Sequence, residues 1–332
     1  MRKPVMFFHS RTKAGESALV REWKKHLVDF WPALCTQLDG RHMESASRSQ
    51  TGSRLTASQK SALLTLLADD DPGVYQTVRA HIIACGFGAV QWLRPHMLSS
   101  DVQLRRRVQE IVRHLERQEA DNRFLAFCLS HGENLDLESG AWLLAQTQYP
   151  EINVEAYQAL LDGYAIELRE RLLGQTLPVT ILSEINSYLF KALGFHANAD
   201  HARDPESSYL NRVIDLRCGS PITLCTLYWL IGKRLNLPIV GIGLPGYFLC
   251  RYQGARESVF IDAFRHGRLL TRADCIRNLQ QSAHGFQEGF LAPISPGRAL
   301  LRMCSALHQI YARLNMQEES ARTQRYVIAL AK

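Results

Sequence analysis

Arg217-Cys218-Gly219-Ser220-Pro221-Ile222-Thr223 carries a complete helix-start signal. The glycine permits a tight turn, Ser220 can cap the first free N–H groups, and Pro221 stands where a missing N–H costs no hydrogen bond. Leu224, Tyr228, Ile231 and Leu235 then recur at core spacing, so a buried helix is expected from Pro221 to the break at Asn236-Leu237-Pro238. Beyond it, Ile239-Val240-Gly241-Ile242-Gly243, Tyr247-Phe248-Leu249-Cys250-Arg251-Tyr252 and Val259-Phe260-Ile261-Asp262 read as strands separated by Pro-Gly and Gly turns. A helix followed by an antiparallel meander is an α+β arrangement.

Helical periodicity dominates on the N-terminal side of this stretch. Ile181 to Leu193 reads as a helix stopped by Gly194, and Asp204-Pro205-Glu206-Ser207-Ser208 as a turn capping a helix through Asn211, Val213 and Ile214. Earlier, Trp142, Leu143 and Leu144 precede a Tyr149-Pro150 break, and Val154, Tyr157, Leu160, Leu161, Tyr164 and Leu168 follow it at helical spacing. Two similar units lie further upstream. One has Leu63, Leu64 and Leu67, then Asp71-Pro72, then Val74, Val78 and Ile82; the other has Ser99-Ser100-Asp101 before Val102, Leu104, Val108, Ile111 and Leu115. They resemble HEAT repeats, although stable solenoids usually stack at least three units, and an irregular helical bundle fits the same pattern. The Arg105-Arg106-Arg107 run reads either as a solvated helix face or as a contact for an acidic partner.

Residues 16–35 carry Val20, Trp23, Leu27, Phe30, Trp31 and Leu34 with Arg21, Lys24 and Lys25 between them, an amphipathic helix with a basic side. Gly40 to Ser58 is polar and almost free of large apolar residues, so it reads as a linker. At the other end, Leu300, Cys304, Leu307, Tyr311 and Leu314 form one apolar stripe. Asn315 breaks it, and Ala321, Tyr326, Ile328 and Leu330 mark a second helix folded back on the first. The organisation expected is a basic helix and linker over 1–57, a helical repeat-like region over 58–131, an α+β domain with helical lead-in over 132–285 and a helical hairpin over 286–332.

The totals exclude several classes. With 332 residues and a hydrophobic fraction of 46%, the chain can fill its own cores. No apolar run approaches the ~20 residues of a membrane helix, so no membrane span is expected and the location reads as cytoplasmic. Of the net charge of +7, most falls in residues 1–60, where eleven Lys/Arg face five Asp/Glu, so a fold-wide basic face for nucleic acid is not indicated. Eight scattered cysteines form no Cys-x-x-Cys pair and no zinc-spaced cluster, so reduced thiols are expected, with no disulfide framework, metal or cofactor.

The order Gly219-Ser220-Pro221-Ile222-Thr223-Leu224, then Leu237-Pro238, then Pro245-Gly246, then Phe260-Ile261-Asp262 resembles the SirB-type branch of the transglutaminase-like superfamily. Residues 149–154 resemble that family's helical lead-in and 299–330 its tetratricopeptide-like tail, so the resemblance spans about 133–332. It implies a papain-like core with a small antiparallel sheet in a mostly helical chain. Enzymes of the superfamily use a thiolate at the N-terminus of the central helix, a His on the next strand and an Asp on the one after. The helix end and the imidazolium lower the thiol pKa, and the carboxylate orients the ring.

Carried onto this chain, the Asp is Asp262 and the His position of the branch's Pro-Gly-His-Phe-Leu pattern holds Tyr247. A neutral phenol cannot shuttle protons as imidazole does near pH 7, so its hydroxyl is expected to bond Asp262 instead. Cys225, one turn into the helix, is the best nucleophile candidate, and Cys218 the alternative, while both also read as inert small residues. Arg217, Pro221 and Thr223 match the branch pattern and with Tyr247 can line a groove for a peptide or small anion; equally, Arg217 and Asp262 can be a buried pair joining helix and strand. His196, His201 and His266 lie near enough in sequence to be alternative bases. The resemblance with Tyr247 in place points to a non-catalytic binding or regulatory module for a protein or peptide partner. The alternative is a cysteine-dependent amidase, protease or transamidase using Cys225 or Cys218 with Asp262.

Overall fold

A computed structural model describes residues 55–131, 135–254, 258–283 and 285–332. The amphipathic helix expected at 16–35 and nearly all of the linker fall outside the described residues. The described chain divides into two units, 55–126 with 143–152 and 127–142 with 153–332.

In the first unit, helices α1 (Ala57–Leu67), α2 (Pro72–Ala84), α3 (Gly88–Leu93) and the start of α4 (Val102–His131) enclose Leu67, Val78, Ile82, Leu93, Val108, Ile111 and Leu115. Their beginnings follow the polar punctuation of the sequence. Thr56 and Gln59 exchange bonds in a capping box, the Asp71 carboxylate accepts the Gly73 N–H at 2.7 Å, and the Asp101 carboxylate accepts those of Gln103 and Leu104. Two of the three clustered arginines tie this unit together. Arg107 donates to the Leu67 carbonyl at 2.8 Å and lies over the Tyr75 ring, and Arg105 donates to the Ser99 carbonyl.

The second unit takes in α5 (Leu137–Gln148), whose first residues belong to it, and then α6 (Val154–Arg171) and α7 (Pro178–Asn186). The helix expected to run to Leu193 changes character at Ser187, where the backbone widens into a π-helix over Ser187–Ala192 before Gly194 stops it at φ 74°. A two-residue strand β1 (His196–Ala197) and helix α8 (Leu210–Leu216) follow, then β2 (Cys218–Gly219), which pairs parallel with β1. Helix α9 (Pro221–Arg234) starts where the sequence signals it: the Ser220 hydroxyl accepts the Thr223 N–H at 3.3 Å, and every residue from Pro221 to Tyr228 is buried.

Strands β3 (Ile239–Leu244), β4 (Tyr247–Gln253), β5 (Ser258–Asp262) and β6 (Arg268–Leu270) form one antiparallel sheet in that order. The first three coincide with the expected strands to within a residue, and β6 is additional. Helix α9 packs close to the sheet through Gly232, where a Cβ would stand 2.8 Å from the Ile239 Cδ1. After α10 (Arg272–Gln280), the expected hairpin appears as α11 (Pro296–Arg313) and α12 (Gln317–Leu330), turning at Asn315 with φ 57°. It is tied to the core by the buried hydroxyls of Tyr209 and Tyr311, 2.8 Å apart.

Because Ser220 is 4% exposed and also bonds the Thr223 hydroxyl at 2.8 Å, Ser220→Ala should lower unfolding free energy by about 1 kcal/mol. Urea titration checks it, with Ser220→Thr expected to recover much of the loss.

Candidate functional site

Three elements converge at the start of the sheet. Helix α9 contributes Cys225, β4 opens with Tyr247, and β5 ends on Asp262. Asp262 is 2% exposed; its Oδ1 accepts the Tyr247 hydroxyl at 2.9 Å and the Arg265 backbone N–H at 3.2 Å, and its Oδ2 lies 3.8 Å from the Arg265 Nε. Burial lifts the Asp262 carboxyl above its ordinary range, while the Tyr247 hydroxyl and then the Arg265 charge hold it back. Burial, followed by the neighbouring carboxylate, pushes the Tyr247 phenol far up, so it remains a neutral donor.

Cys225 is closed to solvent. Its thiol points at the Phe248 carbonyl at 3.5 Å, and Cys250 donates to the Cys225 carbonyl at 3.3 Å. Burial, then Cys250 and the Asp262 charge, raise the Cys225 thiol well above a free thiol, against which the Ala263 N–H works alone. Cys225, Tyr247 and Asp262 therefore come together, with the thiol held as thiol.

The remaining candidates lie differently. Cys218 is half-buried in β2 opposite His196, its thiol raised by burial and by Asp204. Pro221 is buried and Thr223 is 0% exposed with its hydroxyl on Ser220, so both stand inside the fold. Arg217 caps α8 with φ 55°, which carries its guanidinium over the rings of Phe195 (4.8 Å) and Tyr164 (5.4 Å) and onto the Tyr164 hydroxyl. The arginine beside Asp262 is Arg265, whose side chain is 45% exposed, so the buried pair considered for Arg217 and Asp262 is not formed. The His196 ring contacts the Gly194 carbonyl, the His201 ring contacts the Asn198 carbonyl and the edge of Phe264, and His266 stands against Phe190. Phe264 also meets Tyr247 edge-on, with ring centroids 6.3 Å apart.

Among the described residues, no group of three or more His, Cys, Asp or Glu side chains is placed to hold a metal ion, and no helix is long and apolar enough to cross a membrane. A cleft of about 350 Å³ opens along the π-helix, lined by Ser183, Asn186, Ser187, Phe190, Lys191 and His266. Sequence reading missed it, because no residue type marks where an α-helix widens to i→i+5 bonding.

A helix packed on an antiparallel sheet, with Cys225, Tyr247 and Asp262 meeting at their junction, is a transglutaminase-like core, and the transglutaminase-like superfamily model matches residues 155–305. A UPF0162 protein of Xylella fastidiosa strain 9a5c is 32% identical over 204 residues, covering 60% of this chain and 73% of that protein. The chain belongs to the UPF0162 family, the SirB-type branch expected from its motifs. A UPF0162 protein of Pseudomonas aeruginosa is 32% identical over 122 residues, 36% of this chain and 44% of that protein. F-box only protein 21 of Mus musculus is 31% identical over 103 residues, 29% of this chain and 16% of that protein. No solved structure matches the chain.

Proposed function

We propose that this transglutaminase-like core is non-catalytic and serves as a binding or regulatory module for a protein or peptide partner, with the HEAT-like N-terminal helices as its scaffold. The observation that carries this reading is the 2.9 Å hydrogen bond from Tyr247 to Asp262. It sets a phenol that stays protonated against Asp262 where the family's enzymes have a His, so no imidazole takes a proton from Cys225. The buried thiol, itself pushed up, supplies no thiolate near pH 7. Free thiols at Cys85, Cys128, Cys218, Cys225, Cys250, Cys275 and Cys304 fit a cytoplasmic setting.

The competing reading, a cysteine-dependent amidase, protease or transamidase, is favoured by the meeting of Cys225 with Asp262. Alkylation of the native protein from pH 6 to pH 9, read by mass spectrometry, separates the two. Exposed Cys85 is the internal reference. Cys225 should react at least roughly hundredfold more slowly than Cys85 in the folded protein, and at a similar rate in denaturant. Labelling of Cys225 or Cys218 at pH 6 as fast as Cys85 would overturn the non-catalytic reading.

A further inference from the structure

Phe190 belongs to two environments at once. It lines the cleft along the π-helix with Ser183, Asn186, Ser187, Lys191 and His266, yet it is only 9% exposed. On its buried side it stacks on Tyr228, with ring centroids 6.4 Å apart and planes 13° from parallel. The His266 ring meets it edge-on at 6.2 Å. Tyr228 is 0% exposed and stands three residues beyond Cys225, on the same face of α9. Burial raises its phenol most, and Cys250 and then Cys225 add to the rise, which places the hydroxyl near both thiols. The order inward from solvent is cleft, Phe190, Tyr228, Cys225.

The backbone on either side holds the ring in place. Phe190 sits in the π-helix, whose i→i+5 bond runs from the Leu193 N–H to the Tyr188 carbonyl at 2.9 Å. Such turns are rare and recur at functional sites. Across from it, Asp262 opens the turn that carries His266 at φ 53° and Gly267 at φ 73°. Asn186 Nδ2 donates to the Gly267 carbonyl at 2.6 Å, and a Cβ on Gly267 would run into that amide, so helix and loop are joined closely. Behind Phe190, the Tyr228 hydroxyl is buried and has no hydrogen-bond partner among the described residues. A polar group sealed from water in this way is costly.

We infer that Phe190 is a plug built into the entrance of the Cys225 and Asp262 site: the cleft is the outer half of a passage to the thiol, and the phenyl ring closes it from within the chain. The inference rests on the transglutaminase-like reading of Cys225, Tyr247 and Asp262. It adds a steric barrier to the missing base, because a molecule in the cleft meets Phe190 before it can meet Cys225.

Alkylation of the full chain by iodoacetamide at about pH 9, read by mass spectrometry, tests it. Cys304 is the reference for global opening, since it is 0% exposed on α11 and its thiol too is raised by burial. Phe190→Ala should increase the ratio of Cys225 to Cys304 rates at least roughly tenfold, and the milder Phe190→Leu at least roughly threefold. Leu189→Ala truncates the neighbouring side chain, which is 1% exposed and does not line the cleft. It should speed both thiols together and leave the ratio within about twofold. A polyethylene-glycol maleimide, too bulky for a cleft of about 350 Å³, should show no gain in the ratio. An unchanged ratio in Phe190→Ala, or in Phe190→Leu should the alanine variant not fold, overturns the plug. So does an equal gain in Leu189→Ala or with the bulky reagent. The rate of Cys225 in the parent protein bears on the non-catalytic reading and the change between variant and parent on the plug, so either can fail without the other.

Discussion

Glu138→Ala should lower the unfolding free energy by about 3–5 kcal/mol, because it removes the two-pronged partner of a largely buried arginine. At the end of α9, Arg234 grips Glu138 with both guanidinium nitrogens, at 2.6 and 2.8 Å, and its Nε reaches Asp162 at 2.7 Å. The Arg234 and Glu138 side chains are 14% and 11% exposed, so water cannot replace the lost partner. The Trp142 indole N–H, which donates to the same carboxylate at 3.3 Å, loses its acceptor too. Asp162 remains, but its side chain is 61% exposed and screened, which places the expected loss nearer the lower figure. Urea titrations by circular dichroism should show a lower midpoint with an unchanged slope. Glu138→Gln, which keeps one acceptor oxygen, should fall between, and a loss below about 1 kcal/mol would show that Arg234 is adequately held without Glu138.

That pair joins residues 96 positions apart, and nothing local in the sequence announces it. What was legible is local or periodic. The Gly219-Ser220-Pro221 signal placed the start of α9, and alternation bounded by Pro-Gly turns placed β3, β4 and β5. Strand β6 escaped because three residues carry no period; it exists only because Gly267, at φ 73°, returns Arg268 to lie opposite Asp262. The helix through Leu193 was read at nearly its true length, yet its π-helical half was invisible, since hydrogen-bond pattern and not residue type distinguishes it. Arg217 shows the same limit for a side chain. Its residue type suggested Asp262, but its left-handed backbone sends it to Tyr164 and Phe195. Tyr247 and Asp262 could be placed together only through the family resemblance, because neither spacing nor periodicity links the two strands' ends.

Tyr247→Phe should destabilise the protein by about 2–3 kcal/mol at pH 7 and by clearly less near pH 4. Asp262 is 2% exposed, and the Tyr247 hydroxyl is the strongest influence keeping its carboxyl from rising further. Its folded pKa already lies above the unfolded value of about 3.9. A group raised in this way contributes stability that is present below the unfolded pKa and is lost as pH rises through the folded one. Removing the phenol hydroxyl raises the folded pKa again, so the variant loses more than the parent between about pH 4 and pH 7, and the gap between them widens with pH. Asp262→Asn supplies the control. An amide Oδ1 can keep the bonds from Tyr247 and the Arg265 N–H, both made to one oxygen, without a buried charge. In that background Tyr247→Phe should cost a smaller amount, the same at both pH values. Equal losses at pH 4 and pH 7 in the Asp262 protein would mean that the hydroxyl does not support a buried carboxylate.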